Sequence, residues 1–116
     1  MNLMNRAIYQ KDKEYRTARN SGADPIRIAA IHNQPCCICY EYGLTQNSLT
    51  QAHHCIHGRG GSRRTPDSMA IPLCEGHHQG LRDTTKVALH QSPKQWRAEY
   101  GPDTDWISWT EQRITQ

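Results

Sequence analysis

Two short pairs, Cys36-x-x-Cys39 and Cys74-x-x-His77, constrain this chain more tightly than anything else in it. A two-residue gap lets both side chains of a pair reach one ion from a single turn, so the pairs together predict a Cys3His tetrahedron around a structural zinc. The 34 intervening residues then form a loop pinned at both ends. Such a tether matters, because 116 residues with 35% hydrophobic content and no Phe can build only a small core. Structural zinc contributes directly to folding free energy. Cys37 in place of Cys36 would leave a one-residue gap to Cys39, so Cys36 is preferred as the ligand; Cys37 and Cys55 are read as packing residues.

Disulfides explain the five Cys less well: the number is odd, seven His accompany them, and charges stand where an export signal has its apolar block. No stretch approaches the roughly 18 consecutive apolar residues of a membrane span. The chain is therefore read as soluble and intracellular, with no membrane partner. Its charge is unevenly spread: residues 1–22 carry five basic residues against two acidic ones, whereas the remainder holds nine of each. Within that remainder Arg59, Arg63, Arg64, Arg82, Lys86, Lys94 and Arg97 outnumber Asp67, Glu75 and Asp83 through the middle. A basic arm with a basic middle suits a phosphate backbone.

The punctuation of the sequence predicts a small α+β fold. Residues 1–22 form a flexible basic arm closed by Ser21-Gly22, and residues 23–116 form one domain. Asp24-Pro25 is a cap followed by Pro at the first helical position, opening a helix to Ile31 or His32 that Pro35 stops. Cys36 to Cys39 is a tight knuckle, Thr50–His54 a short strand, Gly58 to Asp67 a loop, and Met69–Leu73 a second strand whose Pro72 marks an edge or an end. A short helix is expected from Cys74 to about Leu81, another after Ser92-Pro93 with Trp96 and Tyr100 on one face, and a last one from about Asp103.

Four of the seven histidines come in doublets. His77 and His78 diverge by about 100° on a helix, so they serve different ions or functions. His53 and His54 diverge likewise on a strand, and one side chain of each doublet is left for a second site.

The run from His53-His54-x-x-His57-Gly58 through Gly60-Gly61 and Asp67 to Pro72-Leu73-Cys74-x-x-His77-His78 resembles an HNH motif: strand, loop, strand, short helix. With Val87-Ala88-Leu89-His90 leading to Trp96 and Tyr100-Gly101, residues 24–110 are most similar to the phage recombination-enhancement nucleases, a RecA-dependent HNH family. The resemblance implies a zinc-stabilised ββα-metal (HNH) core with flanking helices. It implies that His54 is the general base, that His53 and His78 hold a catalytic metal, and that Asp67 lies near the middle position that is Asn in many relatives. It further implies magnesium or manganese as that metal, DNA and a RecA filament as partners, and the cytoplasm of a bacterial host, with a phage or prophage as the source.

Phosphodiester hydrolysis needs an activated water and a cation to stabilise charge on the phosphate. A neutral imidazole takes a proton near neutral pH, which suits His54. His90 or His57 completes or orients the metal shell, unless they pack or contact DNA. Arg59, Arg63 and Arg64, in the Gly-rich loop, are expected to meet the DNA backbone with little sequence preference. Two other readings keep the same zinc ligands: a noncatalytic zinc-knuckle DNA-binding recombination accessory, and a zinc-stabilised protein-interaction domain. Neither needs a second metal site.

Overall fold

Asp24 caps the first helix, α1 (Pro25–His32): its Oδ1 accepts the Arg27 N–H at 3.0 Å, and Pro25 occupies the first turn where no donor is missed. The structure, a computed structural model, describes residues 22–58 and 65–115. The basic arm, apart from Gly22, and Arg59, Arg63 and Arg64 lie outside the described residues. α1 buries Ile31 and, less expectedly, Arg27. The Arg27 guanidinium donates to the carbonyls of Asp67 (2.9 Å) and Ala70 (2.9 Å) and pairs with Glu111. A buried cation is tolerable only when its donors are met in this way.

The knuckle is a short helix, α2 (Cys37–Glu41), which starts immediately after Cys36. The sheet is an antiparallel ribbon of β1 (Thr50–His54) and β2 (Ala70–Cys74), with Thr50 opposite Cys74 and His54 opposite Ala70. β2 lies one residue later than its apolar run suggests, because Met69 closes a 3-10 turn over Asp67–Met69. Pro72 sits mid-strand opposite Ala52 and is accommodated because each strand of a two-stranded ribbon keeps an outer edge.

β2 runs directly into α3 (Glu75–His78), where Cys74 caps the helix by accepting the His77 N–H through Sγ. α3 stops three residues short of the expected Leu81. Gly80 takes a left-handed φ of 78°, and the N–H groups of Gln79, Gly80 and Leu81 all fold back onto the Glu75 carbonyl. Gly76 permits close packing: a Cβ there would meet the Asp83 carbonyl oxygen at 2.9 Å and Lys86 Cγ at 3.0 Å. The next segment returns alongside α3, with Leu89 and His90 N–H groups donating to the His77 and His78 carbonyls.

α4 (Pro93–Tyr100) opens after Ser92, although the Ser92 side chain makes no cap bond. Trp96 and Tyr100 share its inner face, ring centroids 5.2 Å apart. The final helix, α5 (Ile107–Ile114), begins later than expected because Asp103–Trp106 is a 3-10 turn with the Asp103 side chain directed inward. The core joins Ile38, Ile71, Leu73, Leu89, Trp96 and the cysteines. Among the described residues no helix is long and apolar enough to cross a membrane.

Candidate metal centres and catalytic pair

Cys36 and Cys39 bracket the first turn of α2, and Cys74 and His77 bracket that of α3, so two helix starts aim four ligands at one point. All four residues are buried and their ligand atoms lie within 4.8 Å of one another, an arrangement able to hold a metal ion. His77 presents Nδ1, at 3.5 Å from Cys36 Sγ, 3.5 Å from Cys39 Sγ and 3.4 Å from Cys74 Sγ, while Cys39 and Cys74 sulfurs are 3.9 Å apart. A tetrahedral zinc would impose edges of about 3.8 Å between sulfurs and about 3.5 Å between sulfur and nitrogen. The donor set and the edges therefore both suit zinc. Hydrogen bonding with Cys36 and then burial push the Cys74 thiol up to about 12, so a cation beside it is what would ionise it.

A second group able to hold an ion comprises His53, His78 and His90. The first two are buried and His90 is exposed, which leaves an open side. His78 Nδ1 donates to Gln51 Oε1 at 2.7 Å, leaving the Nε2 lone pair to face His90 Nε2 at 3.1 Å. A proton on His90 can bridge that gap and a metal ion can replace it: two nitrogens bound at about 2.1 Å and at right angles lie about 3.0 Å apart. His53 donates through Nε2 to Asp103 Oδ2 at 2.8 Å, and its Nδ1 is buried with no hydrogen-bond partner. An orphaned lone pair beside two other imidazoles is what a metal ligand looks like without its ion. Burial, then the neighbouring His53 and His90, lower the His78 pKa to about 3, which keeps that ring neutral and its lone pair available.

His54 points to the other face of β1 and pairs with Asp67, Nε2 to Oδ1 at 2.6 Å. Asp67 is held in turn: its Oδ2 accepts the Asp24 N–H at the start of α1 (2.7 Å), and its carbonyl accepts from Arg27. His57 stands apart from both metal groups. Its Nδ1 accepts the Asp103 N–H at 2.9 Å and its own N–H donates to Asp103 Oδ1 at 3.1 Å. Burial works against the ionised Asp103, but hydrogen bonds from the His53 ring and the Ile56 N–H hold its pKa below the usual carboxylate value.

The structure thus brings together Cys36, Cys39, Cys74 and His77 in one group, His53, His78 and His90 in another, and His54 with Asp67. Sequence reasoning missed Asp103, Gln51 and Arg27. Asp103 had a signal, an Asp after Gly101-Pro102, but it reads as the start of the last helix; Gln51 and Arg27 had none.

Neither a curated protein nor a solved structure matches the chain. One family model does, over residues 21–115, and on that match the chain belongs to the recombination-enhancement, RecA-dependent nucleases.

Proposed function

We propose that this protein is a metal-dependent DNA endonuclease of the HNH type, in which His54 is the general base and His53, His78 and His90 hold the catalytic cation. The observation that carries the reading is the convergence of three imidazoles, one with an orphaned lone pair, at a strand whose next residue, His54, is paired with Asp67. The Cys3His group is assigned zinc, and the second site magnesium or manganese.

His54 takes the proton of the attacking water, and Asp67, paired with its Nε2, stabilises the imidazolium that forms. His53, His78 and His90 would hold the cation, whose charge would stabilise the scissile phosphate and the departing oxygen. The exposed side at His90 admits the backbone of the substrate. Arg59, Arg63, Arg64 and the basic residues before Gly22 supply phosphate contacts, which position DNA without reading its sequence. RecA dependence follows the family's description, and the setting is phage recombination in the cytoplasm of a bacterial host.

Supercoiled plasmid incubated with the protein and Mn2+ or Mg2+, with and without a RecA filament, tests the reading. Cutting should require the divalent ion and stop with chelator, and His54→Ala should slow it by about 10²–10⁴-fold while DNA binding persists. Folded, zinc-loaded protein that binds DNA but cuts under none of these conditions would refute the enzyme and leave the noncatalytic zinc-knuckle module.

A further inference from the structure

One member of the three-imidazole group, His53, is bonded to Asp103, a fully buried carboxylate 50 residues away in the chain. Its two oxygens are fixed from three directions: Oδ2 accepts from His53 Nε2 (2.8 Å) and the Ile56 N–H (2.7 Å), and Oδ1 accepts the His57 N–H (3.1 Å). The Asp103 N–H closes a reciprocal clasp by donating to His57 Nδ1 (2.9 Å). So anchored, the carboxylate can neither rotate away nor offer a donor.

We propose that Asp103 is a positioning residue that sets which nitrogen of His53 carries the proton, and thereby fits His53 to hold a divalent cation. An ionised carboxylate only accepts, so the ring nitrogen facing it must be protonated, since two acceptors 2.8 Å apart would repel. The proton on Nε2 forces the lone pair onto Nδ1, the buried atom that lacks a partner, in a ring whose centroid lies 4.9 Å from that of His78 and 5.3 Å from that of His90. With the other tautomer an N–H would point into the site and exclude a cation. The negative charge also makes the imidazole a more basic ligand. The inference rests on the reading of His53, His78 and His90 as metal-holding, and it adds a residue that neither motif nor spacing marks.

The test uses the full chain with its Cys3His site loaded. Long-range 1H–15N correlation spectra report the His53 tautomer without added metal, and Mn2+ titration followed by electron paramagnetic resonance reports the second site. Wild type should show Nε2–H on His53. Asp103→Ala should mix the tautomers and weaken Mn2+ binding by about 10–100-fold. Asp103→Asn, close in volume, covers the case in which the alanine variant fails to fold; its neutral amide should weaken Mn2+ binding by a smaller factor. Unchanged Mn2+ affinity in folded Asp103→Asn, with His53 still protonated on Nε2 in every folded variant, overturns the inference and leaves Asp103 a packing anchor. Wild type that binds no Mn2+ overturns instead the assignment of the three imidazoles, and this inference with it.

Discussion

His77 and His78 are neighbours on a four-residue helix, yet replacing them by Ala should produce opposite failures. His77 is fully buried and its Nδ1 stands 3.4–3.5 Å from three sulfurs. A thousandfold loss of zinc affinity would remove about 4 kcal/mol of folding free energy by mass action. Domains of this size have about 5–15 kcal/mol in all, and a core this thin belongs at the low end. His77→Ala should therefore be zinc-poor and largely unfolded or insoluble. His78→Ala leaves that cage intact and orphans the Gln51 carbonyl, a loss of about 1 kcal/mol, which lowers the melting temperature by about 4–8 °C. It should keep zinc and fold but lose Mn2+ binding and cleavage. Zinc content, thermal melts and plasmid cleavage on both variants decide the matter. If His78→Ala sheds zinc while His77→Ala stays folded, the ligand assignment is off by one residue.

Protein purified without added metal should carry about one zinc per chain, and stripping it with a strong chelator should abolish the cooperative melt. Gly76→Ala should destabilise: the added Cβ meets a backbone oxygen at 2.9 Å, and overpacking of about 1–3 kcal/mol exceeds the about 1 kcal/mol gained in helix propensity, so an unchanged or raised melting temperature would contradict the packing described. Asp67→Ala should slow cleavage by about 10–100-fold, less than removal of the base itself. Asp67→Asn should cost less, because an amide oxygen still accepts from His54 Nε2, and equal rates for the two variants would deny Asp67 an orienting role. Neutralising Arg59, Arg63 and Arg64 together should weaken DNA binding and flatten its salt dependence by up to about three units of slope, and an unaltered slope would remove that loop from the interface.

What could be read from the sequence was what short range determines. The ligand pairs declare themselves because two residues and one turn suffice to aim both side chains, and the alternation of His53 and His54 needs only the pleat of a strand. The Asp24 cap and the Trp96–Tyr100 face are equally local. Asp103 reads in the sequence only as the start of a helix, which it is, and its second use as a buried acceptor appears only when the distant His53 is in place. Arg27 reads as an ordinary surface cation of α1, and only the backbone carbonyls of Asp67 and Ala70, more than 39 residues away, give it a buried use. The early end of α3 turns on Gly80, whose left-handed backbone is visible only in three dimensions.

Two of the ties described above span long stretches of chain: His53 to Asp103 over 50 residues, and Arg27 to Glu111 over 84. Closing loops of that size costs entropy before any contact rewards it, so these ties form late when the protein folds. The Cys3His group needs only the segment from Cys36 to His77 and can assemble first. A nascent or nicked polypeptide that stops before Asp103 therefore possesses every imidazole of the second centre without the carboxylate that disposes them. On the reading proposed above, such a truncated chain should hold zinc yet bind Mn2+ poorly.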